Sequence, residues 1–490
     1  MKKYFPVAGL LIISILFTLI FSTGCSKKED EGKIAITTMS AEARNNFLKG
    51  RDLFEKLRAR ESIDYFEKAY NEDNKFVMAY YYHSLANPTN KGFFQDLNNA
   101  LANVNNVSEG ERLIIQALKA GVDANQKSQE EYLEKLVILY PNDERAFFQL
   151  GQFYFGLQKY DRVVENLKKS TEINPDYSLS YNMLGYSYRN LENYTEAEKA
   201  FKKYIELIPD DPNPYDSYAE MLSKQGRFEE SIIQYKKALE INPGFFNSRM
   251  GISNNLILLN RYKEAKDNCD KSFEIAKNDG ERRFALFTKT VACVDKGDVN
   301  GAMEEMQKQF DLGKNINDAG AMSADLNNMG NILYVAKKYD DAASVYEEAI
   351  NLVEDSNLSD EVKENNKRLN IYNRGRIALM TGKIEDAKKL SKEFSVRANK
   401  ANNTFQIWLA HSLNGLIAMQ ESEYKKAISE FEKSNLQNPQ TYYYMALAYS
   451  KDGNSSEAKK YAEKCANFNA LINLNQAFVR NKAKLLLTTL

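Results

Sequence analysis

The sequence predicts an all-α fold, a solenoid of antiparallel helix pairs, and three observations carry that prediction. The 490 residues include only 9 Pro and 23 Gly, so turns are few and helices can run long. Large apolar and small residues return at a fixed interval of 34 residues through the first half of the chain. One helix pair cannot bury its own apolar face, so repetition at this interval requires stacking.

The clearest units begin Phe147-x-x-Leu150-Gly151-x-x-Tyr154, with Leu167 and Pro175 following. A shift of 34 gives Tyr181-x-x-Leu184-Gly185-x-x-Tyr188, then Ala197, Phe201 and Pro209. A second shift gives Tyr215-x-x-Tyr218-Ala219-x-x-Leu222, then Ser231, Tyr235, Ala238 and Pro243. Gly151, Gly185 and Ala219 fit where the first helix approaches the second closely. Phe201 and Tyr235 are expected in the groove between neighbouring units. The prolines end each second helix, because Pro lacks an amide donor and restricts its predecessor. This pattern resembles the tetratricopeptide repeat, which implies a right-handed superhelical solenoid. The same phase runs back through Leu113, Ala117, Leu133 and Pro141, then Tyr80, His83, Phe94 and Leu97, and finally Gly50, Phe66 and Ala69. Forward it takes in Ser253, Leu256, Ala265 and Cys269.

Residues 42–278 therefore form a regular array of about seven units. Residues 279–466 continue it with longer spacing. Ala302, Ala342, Ala387, Ala427 and Ala458 hold the small position at intervals of 40, 45, 40 and 31 residues, which gives about twelve units overall. The longer intervals imply extended helices or loops. Residues 467–490, with Phe468, Leu471, Ile472, Phe478 and Val479, predict a last helix that covers the open end of the array or meets a second copy.

The N-terminus has a different character. Lys2 and Lys3 precede an almost wholly apolar run from Phe5 to Phe21, about 26 Å long as a helix. It closes on Ser22-Thr23-Gly24-Cys25, which resembles the lipobox of bacterial lipoproteins, with Ser22 where Leu is usual. The resemblance implies a signal peptide over 1–24, cleavage before Cys25 and lipidation (palmitate) of Cys25. An uncleaved membrane-spanning anchor is the other reading. Residues 25–41 then make a charged tether, and the resemblance implies a lipid-anchored protein of the bacterial cell envelope, at the outer membrane, on its periplasmic face or surface.

Sixty-six basic residues balance sixty-seven acidic ones, which argues against a general nucleic-acid binder. His83 and His411 fall on repeat core positions and have no Cys or His partner at metal-ligand spacing. The sequence has no phosphate loop, dinucleotide fingerprint, HExxH or GxSxG motif. No catalytic residue, metal or cofactor is expected. Cys269 and Cys293 fall on adjacent helices, as buried thiols or as a bridge.

What remains is surface. In tetratricopeptide arrays the first helices line the concave face, and the resemblance places ligands there. By phase that face comprises Phe148, Gln152 and Phe155, then Asn182, Tyr186 and Arg189, then Asp216 and Glu220. Met250, Asn254 and Ile257 follow, and later Asn327, Asn331 and Tyr334. Amides that pair with backbone and aromatics that supply area suit an extended peptide. The expected role is a membrane-anchored scaffold for protein–protein interaction, with other proteins or extended peptides as partners. The alternative is a module that senses a peptide or glycan in the superhelix groove.

Overall fold

The computed structural model describes residues 32–490 except 88, 124 and 472. The expected signal peptide, Cys25 and the start of the tether lie outside the described residues, as does Ile472. Among the described residues there are 25 α-helices and no strand. The pairs are α1 (Ala41–Glu55) with α2 (Ala59–Glu72), α3 (Val77–Ala86) with α4 (Asn90–Ala102), and α5 (Glu109–Val122) with α6 (Gln126–Leu139). Next come α7 (Glu144–Gly156) with α8 (Tyr160–Ile173), α9 (Ser178–Asn190) with α10 (Tyr194–Leu207), and α11 (Pro212–Lys224) with α12 (Phe228–Ile241). They continue as α13 (Phe246–Leu258) with α14 (Tyr262–Glu274), α15 (Asp279–Lys296) with α16 (Val299–Asn315), and α17 (Ala319–Val335) with α18 (Tyr339–Glu354). The last are α19 (Asp360–Met380) with α20 (Ile384–Lys400), α21 (Thr404–Gln420) with α22 (Tyr424–Glu432), and α23 (Pro439–Lys451) with α24 (Ser455–Ala466), followed by the single helix α25 (Leu474–Leu487). From α9 to α24 each first helix packs on its second and each second helix on the next pair, the arrangement of a helical repeat array.

The longer spacing of the second half has a simple cause. Helices α5 to α14 are 13 or 14 residues long, whereas α15 has 18 and α19 has 21. The added residues extend the helices themselves by a turn or two.

Small residues set how closely a pair can close. A Cβ placed on Gly185 would meet the Phe201 ring at 2.6 Å, and one on Gly330 would meet Tyr346 at 2.4 Å. Gly50 with Phe66 and Gly415 with Phe431 repeat the arrangement, each aromatic ring following its glycine by 16 positions. Phe201 thus fills the seam inside its own pair, whereas Tyr235 reaches Gly251 of the next pair. The expectation that both fill the groove between units holds for Tyr235.

The chain divides into two compact units. The first runs to Arg51 and again over Arg60–Leu150; the second comprises Asp52–Ala59 and Gly151–Leu490. This partition differs from the change of spacing at residue 278. The first unit holds an aromatic core in which Phe47 lies 5.0 Å from Phe76 and 5.5 Å from Tyr82, centroid to centroid. Its His83 is buried between Asp96, at 2.7 Å, and Glu67, at 3.4 Å. Burial works to lower the His83 pKa, but the hydrogen bond and charge of Asp96, with Glu67, outweigh it and raise the pKa.

In the second unit α25 does not extend the row of pairs. It packs on α24 and α23 and also returns to α15. Leu474, Ala477, Phe478 and Val479 join a core with Ile257, Leu258, Val291 and Leu326. Arg480, 2% exposed, binds Asp295 through Nε at 2.9 Å and through Nη2. It also donates to the Leu258 carbonyl at 2.9 Å and to Asn260 Oδ1 at 3.0 Å. The loop before α25 adds a bond from Asn469 Nδ2 to the Lys224 carbonyl at 3.2 Å, and Lys224 Nζ sits 3.5 Å above the Phe468 ring. The predicted helix over 467–490 therefore starts at Leu474, and Asn473 caps it through Asn475 N.

Cys269, Cys293 and Cys465 are free and buried. Burial pushes the Cys269 and Cys465 thiols up to about 12, which leaves them protonated at neutral pH. No helix among the described residues is long and apolar enough to cross a membrane.

Candidate functional site: a polar ladder on the first helices

The first helices of successive pairs lie side by side in the second unit, α9 against α11, α11 against α13, and α13 against α15. Positions three and four apart on each helix share a face. Asn182, Tyr186 and Arg189 therefore form one stripe on α9, Asp216 and Glu220 a second on α11, and Met250, Asn254 and Ile257 a third on α13.

Hydrogen bonds tie the stripes into a ladder. The Tyr186 hydroxyl lies 3.1 Å from both Ser217 Oγ and Glu220 Oε2. The Arg189 guanidinium stacks 4.7 Å from the Tyr186 ring and reaches Glu220 at 3.5 Å. Ser248 Oγ, on α13, donates to Asp216 Oδ1 at 2.6 Å. Ser223 Oγ donates to Asn255 Oδ1 at 2.6 Å, and Asn255 Nδ2 donates on to Ser231 Oγ at 2.7 Å.

The ladder is electrostatically unsettled. Burial, and then the charge of Glu220, push the Asp216 carboxyl up to about 7. Lys224, one turn beyond Glu220, is pushed down to about 8 by burial and by Arg189. Three polar atoms on the predicted stripes are buried without a hydrogen-bond partner: Asn182 Oδ1, Arg189 Nε and Asn254 Oδ1. A buried polar atom left unpaired costs about 1–3 kcal/mol. Two of the three atoms are on α9 and the third is on α13, the helices that flank α11.

Not every predicted residue reaches that surface. Met250 and Ile257 are 1% and 0% exposed and support the wall from behind. Gln152 is exposed on α7 and Phe148 is half-buried on the same helix. Phe155 turns toward Tyr160, edge to face at 5.6 Å. Asn327, Asn331 and Tyr334 form a second cluster on α17, organised by a residue that phase alone does not give. Arg376, on α19, donates to Asn331 Oδ1 at 3.0 Å and stacks 4.0 Å from the Tyr334 ring and 5.3 Å from Tyr372. Asn327 Oδ1 accepts from Asn373 Nδ2 at 3.4 Å. The 21-residue α19 takes Arg376 out of the 34-residue register. Ser217, Lys224 and Ser248 were also missed, because Ser and Lys on a repeat helix look like ordinary solvated positions.

Among the described residues no group of three or more His, Cys, Asp or Glu side chains is arranged to hold a metal ion. His411 pairs with Glu430 at 2.9 Å.

Known proteins resemble this chain through its repeats. The tetratricopeptide repeat family model matches residues 144–177, 179–211, 213–245 and 439–470. No curated protein matches the chain. Among solved structures, TTC0263, a thermophilic TPR protein of Thermus thermophilus, is similar at 21% identity over 44% of this chain and 98% of its own, with a TM-score of 0.30. MamA is similar at 18% identity over 37% of this chain and 92% of its own, with a TM-score of 0.28. YrrB, described as a TPR protein with an unusual peptide-binding site, is similar at 17% identity over 37% of this chain and 91% of its own, with a TM-score of 0.28. The pairs α7–α8, α9–α10, α11–α12 and α23–α24 coincide with the four matched segments, and the chain carries tetratricopeptide repeats.

Proposed function

We propose that this protein is a binding scaffold of the bacterial cell envelope, anchored by a lipid on Cys25, that holds an extended segment of a partner protein against α9, α11 and α13. One observation carries the reading: Asn182 Oδ1, Arg189 Nε and Asn254 Oδ1 are buried without partners on faces whose other polar groups are tied by hydrogen bonds. An extended backbone supplies an N–H donor and a carbonyl acceptor at each residue, which is the complement those three atoms lack. Tyr186 and Arg189 supply stacking area beside them. The anchor rests on the run from Lys2 to Cys25 in the sequence. Tetratricopeptide repeats serve protein interaction, which supports the scaffold reading.

A photo-crosslinking amino acid at position 254 tests the site, with one at the exposed position 237 as control. A defined envelope protein captured at 254 and not at 237, and lost with Asn182→Ala and Arg189→Ala, is the expected result. Equal capture at both positions, or none at 254, rejects it. Labelling with a palmitate analogue tests the anchor separately: Cys25→Ala should abolish incorporation, and unchanged incorporation rejects the lipid.

A further inference from the structure

In the first unit, residues 33–38 run extended across helices α1, α3, α5 and α7 and are held there as a bound peptide would be. Ile34 N donates to Asp143 Oδ2 at 2.9 Å, and Thr37 N donates to Glu111 Oε1 at 2.8 Å. These main-chain donors are three residues apart, and their acceptors stand on different helix starts. Side chains add to them: Lys33 Nζ pairs with Glu144 at 3.1 Å, the Thr37 hydroxyl binds Glu111, and Thr38 Oγ1 donates to Asp73 Oδ2 at 2.6 Å. Arg44 closes over the segment through a bond to the Ile36 carbonyl at 3.2 Å.

The acceptors are built into the groove. Glu111, Asp143 and Glu144 are 1%, 4% and 2% exposed. Glu111 and Asp143 are each anchored by their own helix: Glu111 forms a capping box with Ser108, and Asp143 accepts from Arg145 N and Ala146 N. Gly110 makes room for the segment, since a Cβ there would meet Ile34 Cγ2 at 2.9 Å. By contrast none of residues 33–38 is buried, Ala35 is exposed, and an unfilled space of about 30 Å³ remains between Ile34–Ile36 and the groove wall formed by Phe47, Met78, Tyr82 and Ile114. A firm, preorganised acceptor row thus holds, through polar bonds, a segment whose own residues stay partly open to solvent.

We infer that the groove of the first unit is a binding site for an extended peptide, that residues 33–38 are its resident ligand, and that partner segments bind by displacing them. The recognition chemistry is a cationic side chain at the first position, against Glu144, and hydroxyls at the fifth and sixth, against Glu111 and Asp73, with the backbone N–H groups of the second and fifth residues donated to Asp143 and Glu111. Because the resident segment is covalently attached, it competes at a high effective concentration. The site is masked until a partner outcompetes it or the segment is drawn away. It is separate from the ladder on α9, α11 and α13, so substitution of Asn182 and Asn254 leaves it unchanged.

A fluorescent, N-acetylated Lys-Ile-Ala-Ile-Thr-Thr peptide tests this by anisotropy with the full chain. The combined variant Lys33→Ala, Thr37→Ala and Thr38→Ala should bind it at least tenfold tighter than wild type, because its own segment is loosened. Hydrogen exchange on wild type gives an independent reading: residues 33–38 should exchange faster once the peptide is in excess. Absence of peptide binding to a variant that keeps wild-type helicity overturns the inference, as does peptide binding to wild type that leaves exchange of residues 33–38 unchanged. If the variant does not fold, the wild-type exchange measurement decides.

Discussion

Asp216 shows how much a single position on the ladder can govern. Its carboxyl lies near 7 in the folded protein, against 3.8 for an unburied Asp, through burial and then the neighbouring Glu220. Between those values the folded state holds a proton that the unfolded chain has released. Folding therefore takes up a proton in that window, and stability falls as pH rises through it. The group's contribution is complete below pH 4 and lost once the pH passes about 7. The loss between pH 4 and 8 should be on the order of 4 kcal/mol, read from urea midpoints across that range. Asp216→Asn, which keeps an acceptor for Ser248 without a titratable group, should flatten the profile by that amount; an unchanged slope would sink the assignment. Binding at the ladder should follow the same titration. A ligand that brings a cation to Asp216 favours the ionised form, so affinity for it should rise between pH 6 and 8.

At the scale of the helix pair, the small residues decide how closely helices approach. Gly185→Val places its side chain against the Phe201 ring, which is fully buried, and should cost at least about 1–3 kcal/mol in chemical denaturation. Gly156 is a built-in control, because nothing lies within 4 Å of a Cβ added there. Gly156→Ala should be neutral or stabilise by up to about 1 kcal/mol. If both substitutions cost the same, close approach is not the reason for Gly185. These pairs were legible in the sequence because each is local: Gly185 and Phe201 are 16 positions apart, and the pattern repeats whenever the pair does. The polar ladder was legible for the same reason, since Asn182, Tyr186 and Arg189 fall on one helical face and Asp216 and Glu220 on the next. Arg376 was not, because the lengthened α19 breaks the register that located the others. The seating of Ile34 and Thr37 was hidden as well. A short run of Ile, Ala and Thr carries no period, and its partners Glu111 and Asp143 look like ordinary helix-start carboxylates until the fold brings them to it. Met250 and Ile257 were assigned by phase to the face that carries Asn254, but both are buried, which a single-helix projection does not register.

At the scale of the whole second unit, α25 changes what kind of object the array is. An open row of repeats gains stability from adjacent interfaces only. Here Arg480 joins residues 185 and 222 positions away, at Asp295 and at the Leu258 carbonyl. Removing the cation leaves the Asp295 carboxylate, its side chain 0% exposed, with the Tyr262 hydroxyl at 2.9 Å and no counter-charge, so Arg480→Ala should destabilise the second unit by about 3–5 kcal/mol. The pair Arg480→Met with Asp295→Leu should recover most of that loss, since no charge is then stranded. Failure of the double variant to recover would point to the carbonyl and Asn260 bonds as the larger part. The bond also defines a load path. An open solenoid under tension lengthens one interface at a time along its whole row. Force applied at residue 490 instead enters α25, which is held to α15 through Arg480 as well as to its neighbours α23 and α24. Drawing α15 and α25 apart, which the extension of α16 to α24 requires, must first rupture the Arg480 clasp. A stretched molecule should therefore show an initial stiff regime, then one abrupt release, and only afterwards the gradual, spring-like extension expected of repeats.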